Sequence, residues 1–336
     1  MTSMKKLFLA LMVMFAMVSC TKTFKINVNL DNSDGKTVYL QRYDGENMKV
    51  LDSVVAKNNK AVFKIKQNDN LDAYCITMKG WRRPLTFFAD NQNVNITGDY
   101  QNYNGINVLA SESQAKLNKF MAEVVNIEDE RELHYFVLDF AKQNYENPVG
   151  PYVLYRYKWA VSLMDLKNLY EVMPADMTSA YKELVLKYIK GLERTNVGKP
   201  YIDFTQKNVN GEDFTLSSVI GKSKILMIDF WASWCPDCRK VNPELVEVYN
   251  EFKNKGLDIV SVSLDTDENA WKNAIEKDNL TWKNHVSDLK GWNNEAAGLY
   301  TIAFIPQNII LDENGMIVKK NVPMEKMREL LNYLLN

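Results

Sequence analysis

The run from Lys224 to Trp231 is apolar after its first residue but for Asp229, and four residues beyond it the chain carries Cys235-Pro236-Asp237-Cys238. A short run without polar alternation is a strand buried on both faces, as in a sheet covered by helices on each side. From Cys235 to Lys255 the spacing is helical, so the cysteine pair opens a helix directly after a buried strand. Strand and helix go on alternating. A strand is expected over 257–264, a helix over 268–277, a hairpin of 307–311 with 316–319 through Asp312-Glu313-Asn314-Gly315, and a helix from Met324 to the end. Residues 198–336 are therefore expected to form an α/β domain.

A dithiol at a helix start is also a chemical arrangement. The helix N-terminus carries about half a positive charge and unpaired N–H groups, and both stabilise a thiolate at Cys235. Pro236 suits the first helical turn, where its missing N–H costs nothing. A zinc site would need two further ligands, yet the chain has no second C-x-x-C and no histidine nearby. A purely structural bridge closing two residues would constrain little chain. The pair points to a redox-active disulfide, with no other cofactor and no metal.

The rest of the chain follows other periods. From Thr23 to Leu109 apolar and polar residues alternate, with Phe24, Ile26, Val28 and Leu30 opposite Lys25, Asn27 and Asn29, and further short runs at 38–43, 61–66 and 94–97. Turn signals at Asp34-Gly35, Asp44-Gly45, Asn58-Asn59 and Lys79-Gly80 make this a small antiparallel sandwich-like domain. Then Leu117, Phe120, Met121 and Val124 recur at helical spacing, as do Leu133, Phe136, Val137 and Phe140, and Tyr181, Leu184, Val185 and Tyr188. A helical linker is expected over 111–197, its aromatic stripes serving packing. Val197-Gly198-Lys199-Pro200 closes it. Cys75 lies in an apolar strand and is expected to be a buried, inert thiol.

Residues 1–19 are an address. Lys5 and Lys6 precede a twelve-residue apolar run, Leu7 to Val18, too short for the roughly twenty residues that cross a bilayer. The run ends in Met17-Val18-Ser19-Cys20, which resembles a bacterial lipobox, with Met17 where Leu is usual and Cys20 as the lipidated residue. The alternative is a plain secretory signal. Either way the mature chain, from residue 20, is exported, and the lipobox places it on a membrane facing the periplasm. With 41 basic and 42 acidic side chains the net charge is -1, so no global field favours nucleic acid.

The stretch from Asp229 to Cys238 resembles the active-site segment of thioredoxin-fold proteins, and Pro243 falls where their active-site helix is kinked. Tyr300 to Gly315, with Ile305-Pro306 ahead of Ile309-Ile310-Leu311-Asp312, resembles their cis-proline loop and hairpin. Pro200 to Ile225 resembles the lead-in of the exported TlpA and ResA-like branch. Residues 23–194 resemble the extension carried by thioredoxin-like lipoproteins of Bacteroidetes. The resemblance implies Cys235 as exposed nucleophile, Cys238 as buried resolving thiol and Asp229 as a buried carboxylate that moves the resolving proton. It implies that Trp234, Pro236, Ile305 and Pro306 contact the substrate, and that Asp237, between the cysteines, tunes the potential. Reductases of this branch that serve cytochrome c maturation often carry a glutamate three residues after the second cysteine; here that residue is Val241.

The expected function is thus an exported thiol-disulfide oxidoreductase, a reductase of protein disulfides fed by a membrane electron donor. The alternatives are a non-enzymatic envelope lipoprotein with a thioredoxin-like scaffold, or a thiol peroxidase. The peroxidase pattern P-x-x-x-T/S-x-x-C would need proline at Ile228 and a hydroxyl at Ala232, and has neither.

Overall fold

A computed structural model describes residues 22–43, 47–69 and 71–335. The leader, Cys20 and the Asp44-Gly45 turn lie outside the described residues. The chain divides into two compact units between Lys119 and Phe120.

Among the described residues the first unit holds eight strands: β1 (Thr23–Asp31), β2 (Thr37–Tyr43), β3 (Met48–Val55), β4 (Lys60–Lys66), β5 (Tyr74–Met78), β6 (Leu85–Phe87), β7 (Val94–Asp99) and β8 (Asn107–Leu109). They form two four-stranded sheets, β4-β1-β7-β8 and β3-β2-β5-β6. Alternation makes the core: Phe24, Ile26, Val28 and Leu30 are buried with Val38, Leu40, Phe63 and Ile76, while Lys25 faces solvent. Asn58 and Asn59 both take positive φ, 50° and 61°, in a two-residue turn closed by pairing of Lys57 with Lys60, where the chain passes from β3 in one sheet to β4 in the other. The expected antiparallel arrangement needs one correction. β1 and β7 pair in parallel, which their separation in sequence permits and a hairpin would not. Cys75 is buried on β5, its sulfur 3.3 Å from Thr86 Oγ1.

Helix α1 (Glu112–Val124) crosses the division between the units. Met121, expected on its apolar stripe, is exposed; Leu117, Phe120 and Val124 are buried. The second unit continues with α2 (Glu130–Gln143), α3 (Val149–Arg156), α4 (Leu163–Val172) and α5 (Ala180–Arg194). Asp129, Ser162 and Ser179 start α2, α4 and α5 by accepting the N–H three residues on. Phe120 packs against Phe136, Phe140 and Tyr157 at ring separations of 4.7–5.2 Å, so these aromatics fill a core.

The same unit then builds β9 (Thr205–Asn208), β10 (Asp213–Thr215), β11 (Ile225–Trp231), α6 (Pro236–Phe252), β12 (Leu257–Ser263), α7 (Glu268–Lys277), β13 (Asn284–Ser287), α8 (Glu295–Leu299), β14 (Gln307–Asp312), β15 (Ile317–Lys320) and α9 (Met324–Leu335). The sheet order is β10-β9-β13-β12-β11-β14-β15. β11 runs parallel to β12 and antiparallel to β14, and every one of its residues is buried, as expected for a strand covered on both faces. Gly315 turns the β14–β15 hairpin at φ 76°; a Cβ there would meet the Tyr201 ring at 2.5 Å. Tyr300 ties the lead-in down, its hydroxyl donating to the Ile202 carbonyl and accepting the Ile202 N–H, both at 2.9 Å.

The helices are more than a linker. At Gly191, α5 approaches the loop after α8 so closely that a Cβ would lie 2.3 Å from Thr301 Oγ1. Arg194 Nη2 donates to the Leu299 carbonyl at 3.4 Å, and Lys320 Nζ donates to Thr195 Oγ1 at 2.9 Å. The helices therefore lie in the same compact unit as the α/β segment that follows.

Candidate active site

The end of β11 aims the chain at α6, and Cys235 is the residue that starts that helix. Its backbone is extended at φ -90° and ψ 107°, its sulfur accepts the Cys238 N–H at 3.1 Å, and Pro236 follows as the first helical residue. Cys235 and Cys238 are joined as a disulfide with Cα atoms 5.3 Å apart. The resemblance implies an exposed Cys235. In this oxidised state it is 4% exposed, because its sulfur is bonded to Cys238 and lies 3.8 Å from the Ile305 carbonyl oxygen. The Ile305–Pro306 peptide bond is cis. Thus Cys235, Cys238 and Ile305, some seventy residues apart in sequence, converge at one point. Trp234 is half-exposed beside them, and Pro236 and Asp237 are exposed on the first turn of α6.

Asp229 lies inside β11, two residues before its end, opposite Ser261 of β12 and Asn308 of β14. It is 7% exposed, and burial pushes its carboxyl up to about 7, against the smaller lowering effect of the Ser261 hydrogen bond. Ser261 Oγ donates to Asp229 Oδ2 at 3.0 Å and accepts the Trp282 Nε1–H at 3.0 Å. An indole nitrogen can only donate, so the Ser261 proton is directed at Asp229. An acid group balanced near neutrality is suited to exchange a proton at physiological pH.

Several supporting residues escaped sequence reasoning. Asp265, buried just past β12, accepts the Ser233 N–H at 2.9 Å, the Ser233 hydroxyl and the Ser263 hydroxyl, and so fixes the loop that delivers Cys235. Trp234 Nε1 donates to the Leu264 carbonyl at 3.2 Å. On α6, Arg239 pairs with Asp278 and donates to the Ser233 carbonyl at 3.2 Å, while Asn242 donates to the same Asp278. A polar residue at the carboxyl end of a buried parallel strand was the available signal for Asp265, because sites in open α/β sheets gather there.

A helix-start disulfide facing a cis-proline loop, with a buried acid on the strand that leads into the helix, defines a thioredoxin-type thiol-disulfide site. Comparison with known proteins agrees. Residues 197–320 match the AhpC/TSA family, and residues 24–117 match a family described as a domain of unknown function, DUF4369. The thiol-disulfide oxidoreductase ResA of Oceanobacillus iheyensis is 33% identical over 143 residues, covering 40% of this chain and 71% of the relative. ResA of a Bacillus cereus strain is 29% identical over 142 residues, covering 42% and 79%. Among solved structures, a thiol-disulfide oxidoreductase from Bacteroides fragilis is 35% identical, covering 40% of this chain and 99% of its own, with a TM-score of 0.38. The chain belongs to the AhpC/TSA thioredoxin-fold family, as one of its thiol-disulfide oxidoreductases.

Proposed function

We propose that the protein is an exported reductase of protein disulfides, working through a Cys235/Cys238 dithiol and held on a membrane by a lipid on Cys20. The observation that carries this reading is the convergence of the Cys235 sulfur with the Ile305 carbonyl at the cis-proline loop, 3.8 Å apart. In the reduced protein the Cys235 thiolate attacks a substrate disulfide, forming a mixed disulfide and releasing one substrate thiolate. Cys238 then attacks the Cys235 sulfur, releases the second substrate thiolate and leaves the intramolecular disulfide. Two electrons pass to the substrate, and a membrane dithiol donor returns them. Asp229 accepts the proton of Cys238, and the extended substrate pairs with the backbone at Ile305, flanked by Pro306, Trp234 and Pro236. No further cofactor enters the cycle.

Direction rests on Asp237. Its carboxylate sits between the cysteines and opposes the thiolate, which exists only in the reduced form, so it makes the dithiol a better electron donor. The potential is expected near the roughly -270 mV of thioredoxin, far from the roughly -120 mV of DsbA. Asp237→His is expected to move it in the oxidising direction, with about 30 mV for each 1.4 kcal/mol of thiolate stabilisation. Equilibration with glutathione buffers measures both; a wild-type value near that of DsbA rules out the reductase.

The anchor has its own test. Each buried methylene of a lipid contributes about 0.8 kcal/mol, and more than one chain is needed for stable attachment. Among the described residues no helix is long and apolar enough to cross a membrane. Cys20→Ala is expected to interfere with processing and lipid attachment, so that the processed, membrane-bound form is lost. Release of the wild type by osmotic shock contradicts lipidation.

A further inference from the structure

Trp159 and Phe304 come from distant parts of the chain, yet their rings meet at 6.2 Å with an interplanar angle of 60°. Both remain open to solvent, at 39% and 38% exposure. Phe304 immediately precedes Ile305, whose carbonyl faces the Cys235 sulfur. The pair therefore forms an apolar step beside the reacting sulfur, one side of it supplied by the helical segment. We infer that Trp159 is a specificity-determining residue, forming with Phe304 a subsite for a bulky apolar side chain next to the cysteine of a polypeptide disulfide. This inference rests on the thiol-disulfide reading above and gives it a substrate class.

The step is built rather than incidental. Trp159 lies on a single turn, Lys158–Ala160, held at both ends. On one side Lys158 Nζ donates to the Tyr155 carbonyl at 3.3 Å and lies 4.1 Å above the Tyr155 ring. On the other, the Ala160 carbonyl lies 2.8 Å from His134 Nδ1, and Nε2 of the same ring is 3.4 Å from Asp165. A carbonyl can only accept, so His134 carries its Nδ1 proton there and its ring orientation is set. The loop bearing Phe304 is braced as well. Thr301 takes φ 61°, an unfavourable conformation for a β-branched residue, and it is there that Gly191 of α5 presses against its side chain. A contact surface held in place before binding loses little entropy when substrate arrives.

The chemistry of the step selects its occupant. Two exposed aromatic rings favour a Leu, Ile or Phe side chain over a polar one. Trp234, the residue before Cys235, and Trp292 form a second exposed aromatic pair at 6.3 Å, so a further apolar surface adjoins the disulfide. Cysteines with such neighbours are buried in folded proteins and accessible in unfolded or misfolded ones. The substrate class is thus a non-native or loosely folded polypeptide disulfide.

The test uses the full chain, a dithiol reductant and two disulfide-linked peptide dimers that differ in carrying Leu or Ser beside the cysteine. The wild type is expected to prefer the Leu peptide by about tenfold in kcat/KM, mostly through KM. In Trp159→Ala that ratio is expected to fall towards one, and in Trp159→Phe to recover most of its value. Because the readout is a ratio between substrates, a partly unfolded variant does not imitate the effect. A ratio unchanged in Trp159→Ala, or an equal loss on both peptides, overturns the subsite while leaving the reductase reading standing. A wild type that reduces neither peptide overturns both.

Discussion

Cys235→Ser is expected to lower reduction of insulin disulfides by roughly 10⁴-fold or more, whereas Cys238→Ser is expected to accumulate mixed disulfides with its substrates. The asymmetry follows from position. Cys235 starts α6, accepts the Cys238 N–H and faces the Ile305 carbonyl, so its sulfur is the one an incoming disulfide meets. Cys238 is one turn inside the helix and buried to 1% exposure, where it reaches the Cys235 sulfur but not a protein substrate. A serine hydroxyl at 235 remains protonated near neutral pH and cannot begin the exchange. Retained turnover in Cys235→Ser removes that residue from the nucleophile's role. Mixed disulfides gathering in Cys235→Ser instead exchange the two roles.

The second large effect concerns Asp229 and stability. Its carboxyl is pushed up to about 7 by burial, against 3.8 for an unperturbed aspartate. Between those pH values the folded protein holds a proton that the unfolded chain has lost, so stability falls as pH rises. The contribution is complete below the unfolded pKa and gone once pH has passed the folded one, a change of the order of 4 kcal/mol. Asp229→Asn keeps an acceptor for Ser261 and removes the titration. It is expected to match the wild type near pH 4 and to be several kcal/mol more stable at pH 8, with turnover at pH 7 lowered about 10²-fold by loss of the proton acceptor. Urea unfolding of the oxidised protein across pH 4–8 reads the first effect. Parallel curves for the two proteins show that Asp229 is ionised throughout, and the proton-acceptor role then fails.

Much of the architecture is legible because it rests on local periodicity. Thr23 to Asp31 alternates, and the structure has a strand there with Phe24, Ile26, Val28 and Leu30 inside. The apolar run ending at Trp231 is a fully buried strand inside the sheet, and Glu268 to Lys277 is a helix with its predicted ends. Exceptions arise where a side chain's surroundings, not its spacing, decide the outcome. Met121 has the spacing of a core residue but faces solvent, since a helix stripe is wider than the surface that covers it. β3 is not legible because all its side chains but one are exposed, and an edge strand that buries nothing leaves no periodic trace.

What the sequence determined by itself was the chemistry: a dithiol at a helix start, a lone acid in an apolar strand and a proline at a loop are written in adjacent residues, and each has a local physical meaning. The tertiary structure decided where those pieces meet. Ile305 reaches the Cys235 sulfur across seventy residues because β14 lies beside β11. Asp229 owes its raised pKa to burial between two neighbouring strands, and Ser261 is directed at it by an indole twenty-one residues away. Trp159 meets Phe304, some 145 residues further along the chain, with ring centroids 6.2 Å apart. Convergence of this kind depends on sheet order and on close packing between elements, which are properties of pairs of segments and leave no periodic signal in either one.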